Sequence, residues 1–294
     1  MRSSGNKATL AFAVQGSNDS LQRWIDMLRL SRASDVVTFF LLSYQAPLQC
    51  AAYANLDLHC GHAPGSSWGE GRNRLGRMIY RTEQQRNYEF KYWVFTDSDT
   101  HSMECGEGCD GMDPASYGAR AMCCWDKIFW FLLGHQGFAM VSVSPFYHSQ
   151  QQWTYVRHQC PDGYVHAFHR AFVPLALPYA TIEDERSWFS SSQFLYRVAI
   201  PCLPNSFATL GGYWQTYGKN EHAEYPRNMA PYTLEEMGEH LEAEYGQSSP
   251  TNVGLYPNTI ELPRQQYMEV ASAAATNVSI SSDPKNASWA AHEP

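Results

Sequence analysis

The residues with the clearest chemistry are Asp97 and Asp99, which close the run KYWVFTDSDTH over residues 91–101. Tyr92 to Phe95 are aromatic or β-branched and read as a buried strand. Along a strand, side chains at i and i+2 point the same way, so the two carboxylates face one spot if strand geometry persists to its end. Converging carboxylates are costly through desolvation and mutual repulsion unless a cation offsets them. Mg2+ or Mn2+, completed by substrate phosphates, is the simplest such cation. The alternative is an exposed turn, since Asp, Ser and Thr are all turn formers.

The elements that must position this pair follow from the patterning. TLAFAVQG reads as a first strand ending in a glycine turn. SNDSLQRWIDMLRLSRA follows with Leu21, Trp24, Ile25 and Leu28 at helical spacing, and Ser17 or Asn18 is placed to cap it. DVVTFFLLSY is a near-continuous apolar run, the mark of a strand covered on both faces. A loop from 44 to 68 leads to the helix GEGRNRLGRMIYRTEQQR, and the strand carrying the Asp pair comes next. This β-α-β-α-β order predicts a parallel sheet with right-handed crossovers. In such sheets ligands bind outside the carboxyl ends of the strands, which is where Asp97 and Asp99 fall.

Beyond the pair, HSMECGEGCDGMDPASYG reads as a Gly- and Cys-rich loop, ARAMCCWDKIFWFLLGHQG as a helix and FAMVSVSPFY as a strand. DGYVHAFHRAFVPLALPY mixes a strand with a short helix, and SWFSSSQFLYRVAI and TLEEMGEHLEAEYG read as helices. The expected organisation is a flexible N-terminus at 1–7, one large α/β domain at 8–265 and a disordered tail at 266–294. The domain divides into a first half, 8–145, and a second half, 146–265.

Composition excludes some classes. The 294 residues, 44% hydrophobic and 14% aromatic, are enough for a substantial core. A formal net charge of −8 offers no basic face to nucleic acid. No apolar run reaches the ~18 residues that a membrane helix needs, and the N-terminus lacks a signal-peptide apolar region. Eight cysteines (50, 60, 105, 109, 123, 124, 160 and 202) and sequons at Asn18, Asn277 and Asn286 suggest an oxidising, glycosylating lumen, reached through a targeting segment outside this chain. Buried thiols and chance sequons, in a cytoplasmic protein, are the plainer reading. His101, Cys105, Cys109, Cys123 and Cys124 could also hold zinc, although their spacings match no common zinc module.

The ordered set LAFAVQGSND, WGEGRNRLGRMIYR and YWVFTDSDTH, followed by LPYATIEDERSWFSSSQF and NEHAEYPRN, resembles the GT-A type of nucleotide-sugar-dependent glycosyltransferase. The resemblance spans about residues 8 to 230. It implies a GT-A-like, Rossmann-type mixed sheet flanked by helices, a divalent cation (Mn2+ or Mg2+), a nucleotide-diphosphate sugar as donor and a glycan or other hydroxyl acceptor. It assigns Asp97 and Asp99 to the metal, with Asp99 the direct ligand, and His222 to complete the shell. It places Arg72 at a phosphate, Asn73 at a ribose, and Gln15, Gly16 and Ser98 against the nucleotide. An inverting transfer needs a general base, and Glu183, Asp184 and Glu185 supply the candidates, Asp184 first. Trp188 would offer a flat face to a sugar.

Plainer alternatives stand beside each of these. Arg72 and Asn73 could lie on a solvated basic helix face, His222 could be a surface histidine, and the acids at 183–185 could favour a helix N-terminus. Two rival functions are a degenerate fold that binds nucleotide or glycan without turnover, and an Asp-nucleophile phosphatase. The phosphatase pattern wants Thr or Val where this chain has His101.

Overall fold

The computed structural model describes residues 9–53, 55–104, 117–134, 138–143, 155–156, 165–179, 181, 192, 195, 207–210 and 213–216. The first hundred residues alternate as expected. They comprise β1 (Leu10–Gly16), α1 (Asn18–Leu28), β2 (Val37–Ser43), β3 (Leu58–His62), α2 (Trp68–Arg86) and β4 (Tyr92–Asp97). Then come β5 (Thr100–Glu104), α3 (Tyr117–Gly134), β6 (Met140–Val143), β7 (Tyr155–Val156), β8 (Val165–His169), α4 (Val173–Ala176), β9 (Phe207–Leu210) and β10 (Tyr213–Thr216).

The main sheet runs β3-β2-β1-β4-β8-β6-β9-β7. β1, β2, β3 and β4 are mutually parallel, β8 is antiparallel to β4, and β6 and β9 are again parallel to each other. The sheet is therefore mixed, and the β4–β8 pairing joins the two halves of the chain into one layer. β1 passes first to β2 on one side, and the chain later returns to β4 on the other. The carboxyl ends of β1 and β4 thus flank the point where the strand order reverses, and there Gln15 stands opposite Asp97.

Why β1 and β2 read as unbroken apolar runs is plain from their burial: every residue of both is inside. Alternate residues serve opposite layers. Leu10, Phe12 and Val14 pack with Leu21, Trp24 and Leu28 of α1 and Trp125 and Phe129 of α3. Ala11 and Ala13 face Leu75 and Ile79 of α2. Small residues on that side let α2 lie close to the sheet.

Both α1 and α2 begin at a capping serine. Ser17 accepts the Ser20 N–H, and Ser67 with Glu70 forms a reciprocal capping box. α2 stops at Asn87, whose φ of 52° turns the chain left-handed.

Two expectations change. The segment 44–68 is not all loop: a short 3-10 turn at Cys50–Tyr53 and the edge strand β3 lie within it. The Gly- and Cys-rich stretch begins as β5, which pairs antiparallel with β10. The periodicity of β3 is hidden because LHCGH sits half-exposed at the sheet edge, without the apolar run that marks an inner strand. No helix among the described residues is long and apolar enough to cross a membrane. The predicted termini, the predicted helix TLEEMGEHLEAEYG and most of SWFSSSQFLYRVAI lie outside the described residues.

Cys50 and Cys60 form a disulfide between the 3-10 turn and β3, with Cα atoms 6.2 Å apart. Cys123 and Cys124 of α3 are disulfide-bonded as well, which removes them as zinc thiolates. The Asn18 sequon sits in the first turn of α1, with its side-chain oxygen accepting from the Ser43 hydroxyl and the Ala46 N–H. Replacing Cys50 and Cys60 by serine together is expected to lower unfolding stability by about 2–3 kcal/mol, the chain-entropy value for a loop of this size. Urea denaturation of oxidised wild type against the double variant measures it.

Candidate functional site

The site begins where β4 stops. The strand ends at Asp97, so Ser98 and Asp99 occupy a turn and the simple i, i+2 argument for two carboxylates on one strand face does not hold. They are nonetheless close enough to repel. Burial pushes the Asp97 carboxyl above the ordinary carboxylate range, the Arg72 guanidinium pulls it back, and the charge of Asp99 pushes it up again. The Asp99 residue is itself only 7% exposed.

Ser98 is anchored to the first strand and helix. Its N–H donates to the Gln15 carbonyl at 2.9 Å, and its carbonyl accepts from Trp24 Nε1 at 2.8 Å. Its hydroxyl meets Ser20 Oγ at 2.8 Å, which meets Ser17 Oγ at 2.6 Å. This chain of bonds needs Gly16. A Cβ there would lie 2.0 Å from Ser98 Oγ and 2.3 Å from Ser98 Cβ, both impossible contacts. Gly16 is thus a close-approach residue that lets the turn settle on the end of β1.

The first turn of α2 holds Asp97 from the other side. Arg72 Nη2 donates to Asp97 Oδ1 at 3.2 Å and Trp68 Nε1 donates to Asp97 Oδ2 at 3.0 Å. Trp68 and Arg72 are four apart on the helix, so they share a face and close on one carboxylate. The Arg72 carbon Cζ lies 3.9 Å from the centre of the Trp68 ring, a cation–π contact. Arg72 is completely buried. The solvated-face reading is therefore wrong for Arg72, while Arg74 beside it is exposed.

Three further groups complete the surroundings. Arg72 Nη1 lies 3.4 Å from His166 Nδ1, which meets the Tyr179 hydroxyl at 2.6 Å. Asn73 is bonded at both polar atoms to the Tyr179 backbone, so its amide is engaged within the protein. Gln15 Nε2 donates to the Ser67 carbonyl at 3.2 Å, and Gly71 gives it room, since a Cβ there would meet Gln15 Oε1 at 2.2 Å.

The sequence points to Arg72, Asn73, Gln15 and Gly16 as site residues but not to Trp68, Ser20, Trp24, His166 or Tyr179. The i, i+4 spacing of Trp68 and Arg72 was a usable signal. Nothing local joins residues 73 and 179.

Among the described residues no group of three His, Cys, Asp or Glu side chains lies close enough to hold a metal ion. The donor set here is the two carboxylates of Asp97 and Asp99. Gln15 Oε1 and Thr100 Oγ1 are buried without a hydrogen-bond partner among the described residues. A divalent cation fits this chemistry, because it would offset the Asp97–Asp99 repulsion and take the remaining ligands from substrate oxygens. Asp97, with one hydrogen bond on each oxygen, is poorly placed as a phosphatase nucleophile. Glu183, Asp184, Glu185, Trp188 and His222 lie outside the described residues. His101 is in β5 opposite Gln215.

No family model and no curated protein matches the chain. Solved structures with partial likeness include S. aureus TarS, at TM-score 0.47 and 11% identity over 95% of this chain and 44% of that one. Another is the mannosyltransferase PcManGT from Pyrobaculum calidifontis in complex with GDP-Man and Mn2+, at TM-score 0.41 and 10% identity over 97% and 79%. A third is the glycosyltransferase GlyE in Streptococcus pneumoniae TIGR4, at TM-score 0.34 and 10% identity over 92% and 63%. The chain spans less than half the length of the TarS chain. At TM-scores this low the likeness carries no inference about activity, which rests on the residues of the site.

Two stability predictions follow from this geometry. Gly16→Ala is expected to destabilise the fold by about 1–3 kcal/mol, the cost of forcing extra atoms into a packed site. Adding Ser98→Gly should recover part of that loss, which a double-mutant cycle by thermal denaturation would read as coupling. Arg72→Met strands a largely buried carboxylate and should cost about 3 kcal/mol. Arg72→Met with Asp97→Asn together should cost less than the arginine change alone.

Proposed function

We propose that the chain is a metal-dependent glycosyltransferase moving a sugar from a nucleotide-diphosphate sugar to a hydroxyl acceptor. The observation that carries this reading is the Asp97–Asp99 pair, set at the carboxyl ends of parallel strands beside the reversal of strand order. The resemblance in sequence and a mixed α/β sheet of the expected kind support it.

Asp99 is the residue assigned to hold Mn2+ or Mg2+, with Asp97 behind it, fixed by Arg72 and Trp68. A cation bound there would act as a Lewis acid on the departing nucleoside diphosphate. Gln15 and Gly16, at the end of β1, are assigned to the nucleotide side, and the Gln15 oxygen offers an acceptor to a donor N–H or O–H. His222 is assigned to the metal shell. Glu183, Asp184 and Glu185 are assigned to the acceptor, one of them, Asp184 first, taking the hydroxyl proton as the new bond forms. Asn73 has its amide committed to the Tyr179 backbone and is not assigned to a ribose in this reading. The disulfides at Cys50–Cys60, Cys123 and Cys124 support maturation in an oxidising, Golgi-like lumen.

Calorimetric titration of UDP, GDP and CMP with Mn2+, and again with EDTA, tests this reading. One nucleotide is expected to bind in a metal-dependent way. Asp99→Asn should weaken that binding by more than the roughly 10- to 100-fold that losing a group behind a metal ligand costs, and Asp97→Asn should fall within that range. Folded protein that binds no nucleotide with metal present would contradict the transferase reading.

A further inference from the structure

Consecutive residues of α2 serve two different parts of this site. Trp68 and Arg72 hold Asp97, whereas Asn73 holds Tyr179 by both backbone groups. Asn73 Nδ2 donates to the Tyr179 carbonyl at 2.9 Å, and Asn73 Oδ1 accepts the Tyr179 N–H at 2.7 Å. A side-chain amide used in this way stands in for a neighbouring strand and fixes the backbone it meets. The Tyr179 hydroxyl is fixed separately at His166, and the ring stands edge-on to Trp68 with centroids 5.2 Å apart.

A buried tyrosine needs a partner for its hydroxyl and for its backbone, but a local turn can supply the latter. Here the backbone partner comes from 106 positions away, next to the residue that pairs with Asp97. Tyr179 is thus two contacts from Asp97, through Trp68 or through Arg72. In the sequence it stands four residues before Glu183, the first acid assigned to the acceptor.

We propose that Asn73 and Tyr179 form a brace that sets where the acceptor-side segment begins relative to the Asp97 corner. Both are then positioning residues for the transfer step rather than contacts of the donor. The inference rests on the glycosyltransferase reading above and replaces a ribose contact for Asn73. The two assignments predict different kinetics. A lost donor contact raises the KM for donor and the Kd for its diphosphate. A lost brace lowers kcat and leaves donor binding alone.

The test uses the full chain with Mn2+, and UDP-glucose and GDP-mannose as donor probes. Calorimetry gives the Kd for UDP and GDP, and release of the nucleoside diphosphate as the sugar passes to water or to an added hydroxyl acceptor gives kcat and KM. In Asn73→Ala, kcat is expected to fall between about ten- and a hundredfold, the cost of a displacement near 1 Å. The diphosphate Kd should stay within about twofold of wild type, since the binding contacts are untouched. Asn73→Asp keeps the acceptor for the Tyr179 N–H but sets a buried carboxylate oxygen against the Tyr179 carbonyl, so its kcat should fall at least as far as that of Asn73→Ala. Hydrogen exchange at the Tyr179 amide should quicken in Asn73→Ala.

A rise in Kd with unchanged kcat would overturn the brace and return Asn73 to the donor side, and an unchanged kcat and Kd would overturn it too. If Asn73→Ala does not fold, Asn73→Gln, which keeps a side-chain amide but moves it by one methylene out of register with the Tyr179 backbone, is judged by the same kcat and Kd criteria. Wild-type protein that binds neither diphosphate overturns the transferase reading and the brace together. Wild type that binds one, with variants that turn over normally, overturns the brace alone.

Discussion

A guanidinium with no exposure to water needs a fixed anion beside it, and the pairing of Arg72 with Asp97 meets that need at the carboxyl edge of the sheet. Burying either charge alone would cost several kcal/mol. Together, with Trp68 covering the guanidinium and donating to the second carboxylate oxygen, they form a rigid corner. The corner ties the first turn of α2 to the end of β4, so the position of Asp99, two residues on, follows from it. Burial and the nearby Asp99 still oppose the charge on Asp97. That residual repulsion is the physical reason to expect a cation.

The rest of the site is arranged around close approaches. Gly16 lets the Ser98 turn rest on β1, and Gly71 lets α2 rest on the Gln15 side chain. The alternation of β1, large residues toward α1 and α3 and alanines toward α2, brings that helix near enough for Trp68 and Arg72 to reach Asp97. His166 in β8 and Tyr179 beyond α4 extend the same contacts into the second half of the chain. The antiparallel β4–β8 pairing makes this possible, because Thr96 lies opposite Val165 and His166 opposite Phe95.

Much of the frame was legible in local pattern. The buried strands β1, β2 and β4 announced themselves as apolar runs, and α1 through helical spacing and a capping serine. Edge strands β3 and β5 were not, because a strand with one free edge or few partners carries no distinctive period. In the site, Asp97 and Asp99 could be found from their place after an apolar strand, and Gly16 from its place at the end of one. The roles of Arg72 and Asn73 could not. Arg72 looks like any helix-surface cation until the fold buries it. Asn73 looks polar and free until Tyr179, 106 residues later, is brought against it. Such contacts depend on tertiary register, which periodicity does not encode.

The central claim is that the Asp97–Asp99 corner takes a divalent cation together with a nucleoside diphosphate. Its most direct test is the electron paramagnetic resonance signal of free Mn2+, titrated with the protein in the presence and absence of UDP or GDP. Loss of the free-ion signal on adding protein with one of these nucleotides, beyond the loss caused by nucleotide alone and abolished by Asp99→Asn, is the result the account predicts. A free Mn2+ signal that folded wild-type protein leaves unchanged with either nucleotide would contradict it.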